Sequence, residues 1–357
     1  LDNGEAKCWG DDQFGQLGDG GTNTDLHTPS TTAIDLGTGR TAVAVSAGYF
    51  HTCAILDNGD MKCWGQDSKG QLGDGGTSHS SSTYTTSPST TPIDLGTGRT
   101  AVALSTGTYH TCAILDNGDL KCWGSDNGGQ LGDGGTISPS AYTTAPSSTA
   151  IDLGTGRTAV AVSASSLHTC AILDNGEAKC WGDDQFGQLG IPGTAPQSSP
   201  PSTAIDLGTG RTAGAISAGY LHACAILDNG EAKCWGRDNQ GQLGDGGSKT
   251  DQPEPVLVSG SNTWDSSIGV SSPITNVTGA TCTVSPSLPT GLNIDSSTCT
   301  ISGTPTVATT NTSYNVTAVI SGTTFQTAVW FSTSYLELTP SVEGADLSVD
   351  VPMSNIT

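Results

Sequence analysis

The chain has 357 residues, and its 34 acidic against 12 basic side chains give a formal charge of −22. Such an acidic chain, with no basic cluster, excludes nucleic acid and anionic membrane surfaces as partners. No apolar stretch reaches the ~18 residues that signal a membrane span. Glycine supplies 49 residues and charged side chains only 13%, which disfavours helices and suits a turn-rich, all-β chain.

Self-similarity organises the first 255 residues. The run Leu56-Asp-Asn-Gly-Asp-Met-Lys-Cys-Trp-Gly65 recurs, with small changes, from Leu1, Leu115, Leu173 and Leu227. Its tryptophans, Trp9, Trp64, Trp123, Trp181 and Trp235, step by 55, 59, 58 and 54 residues. A four-stranded propeller blade takes about 40–50 residues, so each period holds one blade and a long loop. Within a period, Gly37-Thr-Gly39 reads as a turn and Arg40–Gly48 as a strand. His51–Leu56 and Asp60–Gly65 then form a hairpin about Asp57-Asn58-Gly59. The glycines of Gly70-Gln-Leu-Gly-Asp-Gly-Gly76 suit tight turns and close approach between blades. Asp35 with Arg40, and its copies Asp94/Arg99, Asp152/Arg157 and Asp206/Arg211, read as ion pairs at the hairpin ends.

A three-residue hairpin loop sets Leu56 opposite Asp60 and Cys53 opposite Cys63. Opposed strand residues lie about 4.5–5.5 Å apart at Cα, within reach of a disulfide. The same spacing relates Cys112 to Cys122, Cys170 to Cys180 and Cys224 to Cys234. Disulfides are the preferred reading, free thiols the second. A metal site from His51-x-Cys53 with Cys63 is the third, since zinc sites use tighter spacing and a fourth ligand. The repeating His51, His110, His168 and His222 read as hydrogen-bonded blade residues. Cys282 with Cys299 makes a fifth pair and leaves Cys8, whose partner position falls before Leu1. The odd cysteine therefore points to a chain cut at its N-terminus. Repeated disulfides imply an oxidising compartment.

The repeats differ most over residues 22–33, 77–92, 136–150 and 191–204, segments that map to one face of a repeat array. His79, Tyr84 and Tyr142 are the candidate ligand contacts there, for a protein or glycan partner. Asp11-Asp12 and Asp183-Asp184 read as solvated turns rather than calcium sites. No catalytic, metal or cofactor site is expected, because every Asp, His and Ser of note belongs to the repeat itself.

After residue 255 the pattern stops. Residues 256–357 hold no Lys or Arg and six acids, so residues 1–255 hold 28 acids against 12 bases. Strand-like runs at Ile274–Val277, Cys299–Ile301, Tyr314–Ile320 and Thr327–Phe331 suggest a small sandwich. Sequons at Asn276, Asn311, Asn315 and Asn355 fit surface exposure.

These motifs carry two resemblances. Cys-Trp-Gly, Gly-Gln-Leu-Gly, a Ser/Thr/Pro-rich loop, a strand and His-Thr-Cys-Ala-Ile together resemble the RCC1 repeat, over residues 1 to about 255. That family implies a β-propeller, usually seven-bladed. Four complete periods and part of a fifth leave either a smaller ring or one whose upstream blades are missing from this chain, and an incomplete ring or open arc is the expectation. Leu288-Pro-Thr-Gly-Leu-Asn-Ile-Asp295 and Cys299-Thr-Ile-Ser-Gly-Thr-Pro-Thr306 are similar to the immunoglobulin-like, cadherin-related module of prokaryotic surface proteins. The expected organisation is a propeller over 1–255, an Ig-like β-sandwich over 256–335, and the start of a further module over 336–357. The expected function is non-catalytic recognition or adhesion outside the cell or at its surface, with the Ig-like module as a spacer. The alternative is guanine nucleotide exchange on a small GTPase, the activity best known from the RCC1 family. A propeller lyase or hydrolase stands third.

Overall fold

A computed structural model describes residues 1–259 apart from 2, 22–23 and 77–82, and beyond them 281–285, 287–288, 292–294, 296, 301–303, 312–320 and 323–331. All elements among the described residues are strands. The chain divides into two compact units, Leu1–Ser261 and Asn262–Thr357.

In the first unit, β1 (Ala42–Ala47), β2 (His51–Leu56), β3 (Met61–Gln66) and β4 (Tyr84–Thr85) form an antiparallel sheet in chain order. β5 (Ala101–Thr106), β6 (His110–Leu115), β7 (Leu120–Ser125) and β8 (Tyr142–Thr143) repeat it. β9 (Ala159–Ala164), β10 (His168–Leu173) and β11 (Ala178–Gly182) make the third sheet, where a single bridge from Gly182 to Gln197 takes the place of a fourth strand. β12 (Ala213–Ala218), β13 (His222–Leu227), β14 (Ala232–Gly236) and β15 (Gln252–Leu257) make the fourth. Ahead of them, residues 1–36 supply part of an earlier unit, with a bridge from Gly10 to Leu26.

The second strand of each sheet explains the packing. His-Thr-Cys-Ala-Ile-Leu does not alternate apolar with polar, because in β2, β6 and β10 both faces are buried. Cys53 and Ile55 pack toward the following sheet, in one cluster with Ala113, Leu115 and Trp123. Ala54 and Leu56 pack toward the preceding segment, with Ile34, Leu36 and Trp64. The core is thus a series of junctions between sheets. In β13 the pattern breaks: Ile226 is 49% exposed, whereas Ile55, Ile114 and Ile172 are at most 2% exposed. Trp9, at 58%, is likewise open where its four counterparts are fully buried. Among the described residues the two ends therefore do not cover one another, and these sheets form an open array.

Each junction carries the same clamp. Trp64, Trp123, Trp181 and Trp235 donate their indole N–H to the backbone carbonyls of Gln16, Gln71, Gln130 and Gln188, at 3.0 to 3.1 Å. Thr52, Thr111 and Thr169 donate their hydroxyls to the first three of those carbonyls at 2.8 to 2.9 Å. This accounts for the Gly-Gln-Leu-Gly run. A Cβ on Gly73 would collide with the indole of Trp123, and the residue has φ of +73°.

The hairpin ends correct the ion-pair expectation. Arg40 pairs with Asp57, Arg99 with Asp116, Arg157 with Asp174 and Arg211 with Asp228, at 3.1 to 3.3 Å. Asp35, Asp94, Asp152 and Asp206 instead accept the backbone N–H two residues on, in Gly37, Gly96, Gly154 and Gly208. Short Asp side chains favour such local turns.

In the second unit, β16 (Thr281–Ser285), β19 (Thr312–Ile320) and β20 (Thr323–Phe331) form one antiparallel sheet. β17 (Leu292–Ile294) and β18 (Ile301–Gly303) form another. The expected runs Tyr314–Ile320 and Thr327–Phe331 fall within β19 and β20. Ile274–Val277 and residues 336–357 lie outside the described residues.

Gly73→Ala should destabilise the propeller unit by roughly 2–4 kcal/mol, combining overpacking with backbone strain. Gly75→Ala is the control: it shares φ of +73° but its Cβ meets nothing. Urea unfolding of both variants should place Gly73→Ala clearly below Gly75→Ala. Equal losses would mean that the indole contact is unimportant.

Candidate functional site

The cysteine pairs sit at the junctions. Cys53 faces Cys63 in the β2–β3 register, and the other three hairpins repeat this. All four pairs are bonded, Cys53–Cys63, Cys112–Cys122, Cys170–Cys180 and Cys224–Cys234, with Cα separations of 4.0 to 4.1 Å. Cys282 is also disulfide-bonded, and Cys299 lies outside the described residues. Cys8 is free, and burial, aided by the carboxylate of Asp12, pushes its thiol up to about 11. No group of three potential metal ligands occurs among the described residues.

The repeating histidines form a ladder across the junctions. His51 Nε2 bonds Thr111 Oγ1 at 2.8 Å, and His110 Nε2 bonds Thr169 Oγ1 at 2.9 Å. Each threonine hydroxyl already donates to a Gln carbonyl, so it accepts here and the imidazole donates. At the third junction Ala223 stands where the threonine would be. There Ser165 replaces the glycine found at 48 and 107, and its Oγ bonds His168 Nδ1 at 2.9 Å. Burial lowers His51, His110 and His168 to about 3.

The Asp pairs differ from the expected solvated turns. Asp12 and Asp184 are 1% exposed. Their Oδ1 atoms accept the backbone N–H of Leu17 and Leu189, and Asp126 does the same for Leu131. A short side chain with an acceptor oxygen caps this turn from inside. Burial raises Asp126 to about 6 and Asp184 to about 7; the Leu N–H opposes the rise, and Asp183 adds to it for Asp184.

Tyr84 and Tyr142 occupy equivalent places on the outer strands β4 and β8, opposite Gln66 and Ser125. They are 40% and 42% exposed, and Lys69 Nζ lies 5.9 Å from the Tyr142 ring centre. His79 lies outside the described residues. Beside each outer strand is a cleft at the junction with the next sheet. One, of about 310 Å³, takes in Thr85, Ser89 and Thr91 together with Ala145 of the next sheet. Its equivalent, of about 280 Å³, takes in Thr143, Ser147 and Thr149 together with Ser199. The variable segments thus meet in pairs.

Sequence reasoning missed an aromatic cluster where the first two sheets meet. Phe50 contacts Phe14, Tyr49 and Tyr109, with ring centres 5.1, 4.3 and 5.5 Å apart. Tyr49 is 69% exposed. The signal was present as aromatic residues just before two of the repeating histidines. They come from three segments that no single repeat relates.

The sheets, junction clamps and hairpin disulfides together define a β-propeller built from disulfide-closed repeats. The Regulator of chromosome condensation (RCC1) repeat is matched by two family models, one over 3–55 and 58–114, the other over 42–71, 101–130, 159–188 and 215–242. The chain belongs to the RCC1 repeat family. An Ig domain model, He_PIG, matches residues 248–335, starting inside the last propeller sheet and running on into the second unit. Among curated proteins, the Ultraviolet-B receptor UVR8 of Arabidopsis thaliana is 29% identical over 71% of this chain and 54% of its own length. The human E3 ubiquitin-protein ligase HERC2 is 29% identical over 73% of this chain but 5% of its own. The chain therefore spans about half of one relative and a small part of the other. Among solved structures, Prp20p of Saccharomyces cerevisiae superposes with a TM-score of 0.60 at 21% identity, covering 72% of this chain and 59% of that one. Human WBSCR16 gives 0.59 at 18%, covering 89% and 73%.

The buried histidines and carboxyls oppose one another as pH changes. Folded histidines that titrate near 3 bind fewer protons than unfolded ones at 6.5, so stability falls as pH drops through that interval. Asp126 and Asp184 hold protons in the fold that the unfolded chain releases near 3.8, so they add stability as pH falls from about 7. Asp184→Asn keeps an acceptor for Leu189 and removes the titration. Its stability relative to the parent should be greater at pH 8 than at pH 4.5 by urea unfolding. A pH-independent difference would show that Asp184 titrates normally.

Proposed function

We propose that the chain is a non-catalytic recognition protein of an extracellular or cell-surface compartment. The propeller is the binding head, the Ig-like module a spacer, and a protein or glycan partner meets the variable loops of one face. The four hairpin disulfides carry this reading. They lie inside the sheet junctions, and bonded thiols persist where the surroundings are oxidising. The charge supports it too: 28 acids against 12 bases in the first 255 residues repel a phosphate backbone.

The second reading is nucleotide exchange on a small GTPase. Its support is the likeness to Prp20p, whose structure was described together with its binding to Gsp1p and histones. At 21% identity that likeness speaks for the fold. A propeller hydrolase or lyase ranks third, because the titratable groups with shifted pKa are repeat residues buried in junctions rather than gathered in one cleft.

Peptide mapping without reductant should find the four hairpin pairs intact in protein secreted from its native host. The same protein should bind a component of a glycan or cell-surface array, and should leave nucleotide release from a panel of small GTPases at its basal rate. Accelerated release without any surface ligand would reverse the order of the two readings.

A further inference from the structure

One stretch of eight residues, Asp-Asp-Gln-Phe-Gly-Gln-Leu-Gly, stands at 11–18 and again at 183–190. Its two copies have different surroundings. One repeat after each Phe comes an exposed tyrosine, Tyr49 at 69% and Tyr220 at 70%. In the later copy the guanidinium of Arg237 lies over the Phe186 ring, 4.9 Å from its centre. The residue equivalent to Arg237 in the earlier copy is Gln66, since each follows the Trp-Gly of its repeat.

The earlier copy thus has the rings and lacks the cation. Phe14, Tyr49 and Tyr109 all contact Phe50. No Lys or Arg lies over any of these four rings among the described residues. Lys69 holds the Phe14 position in the next repeat and turns to Tyr142 instead. The charge at the Phe14 end of the cluster has one sign. Asp11, Asp19 and Asp25 are exposed. Burial first, then the charges of Asp19, Asp11 and Asp25, raise the carboxyl of Asp12, two residues from Phe14, against the Leu17 N–H. Contiguous exposed aromatic surface marks an interaction site, and the face of each ring attracts a cation.

Resting on the reading of the propeller unit as a recognition head, we infer that the cluster of Phe14, Tyr49, Phe50 and Tyr109 is the docking seat for an arginine side chain of a basic partner protein. The later copy shows the chain using this chemistry on itself, with Arg237 filling the place from within. A partner's guanidinium supplies at the earlier copy what Gln66 does not. The exposed carboxylates favour its approach and disfavour an acidic partner. Arginine suits the seat better than lysine, because its planar, weakly hydrated group stacks on aromatic faces.

The test uses the full chain and two fluorescein-labelled peptides of glycine and serine, one carrying arginines and the other the same number of lysines. Binding is read by fluorescence anisotropy and calorimetry at about 0.15 M salt, where distant charges are screened. The arginine peptide should bind more tightly than the lysine peptide. Tyr49→Ala should weaken the arginine peptide about fivefold, the scale of one cation–π contact. Tyr49→Phe should retain binding, and Tyr220→Ala, beside a ring already covered by Arg237, should match the parent. Arg237→Gln should add a second, weaker equivalent, whereas Lys249→Gln, the same change of charge at an exposed site, should add none. Both tyrosines are exposed, so their variants should keep the parent's unfolding midpoint. Equal affinity for the two peptides, Tyr49→Ala equal to the parent, or no added equivalent in Arg237→Gln would overturn the proposal. A sedimentation coefficient that rises with concentration in the parent and not in Tyr49→Ala would give the seat to a second copy of the chain and overturn it as well. A cell-surface array separates the two levels. A surface ligand bound equally by parent and Tyr49→Ala keeps the recognition reading and removes the seat. No surface ligand, with the peptide results intact, removes the extracellular compartment and keeps the seat.

Discussion

The indole of each repeat's tryptophan, held by a glutamine carbonyl of the preceding repeat, is the interaction around which the propeller unit is arranged. A single carbonyl oxygen takes the Trp N–H and, in three of four cases, a Thr hydroxyl as well. The donor comes from 47 to 52 residues further along the chain. To reach it the indole must lie flat over the Gly-Gln-Leu-Gly turn, which leaves no room for a side chain on the second glycine. That one contact requires the second glycine of the run and ties each repeat to the one before it.

A protein built from such junctions is nearly one-dimensional. Each sheet touches its neighbours, so stability approximates a sum over repeats and junctions. The disulfides act within a repeat. Each closes a span of 10 residues and, in the chain-entropy account, contributes about 2–3 kcal/mol to its own hairpin. Hairpin closure and junction packing are then separate sources of order. The first is local and covalent, the second spread over the apolar face of the next sheet.

The division also explains what could be read from the amino-acid order. Features internal to one repeat were legible: the hairpin about Asp57-Asn58-Gly59, the facing of Cys53 and Cys63, and the strand over Arg40–Gly48, which ends up as Ala42–Ala47. The choice among nearby partners, and which turns fold inward, were not. Arg40 takes Asp57 as its partner rather than Asp35, because Asp35 is captured by a turn two residues away. Asp184 looked like one of two solvated carboxylates, yet the turn it caps folds inward and buries it. The clefts beside Thr85 and Thr143 each need a residue from the following repeat, Ala145 or Ser199, so no single period contains them. Period and composition report the strands, the hairpin and its register, while competition among close partners, the burial of a turn and contacts across a junction leave only a weak trace.

The third rung of the histidine ladder shows how such a chain can change. Ser165 and Ala223 are 58 residues apart in different repeats, yet they settle the bonding of one imidazole, which has moved its hydrogen bond from Nε2 to Nδ1. The serine is tolerated alone, and the alanine is not. A threonine restored at 223 would give the unpaired Nε2 a partner without disturbing the bond at Nδ1, whereas a glycine at 165 would leave His168 with no side-chain partner at all. The heritable module is accordingly the seam and not the repeat. A threonine can be lost from one repeat once a serine stands in the repeat before it, so copies of this array should be expected to diverge in linked pairs astride each boundary, the serine first.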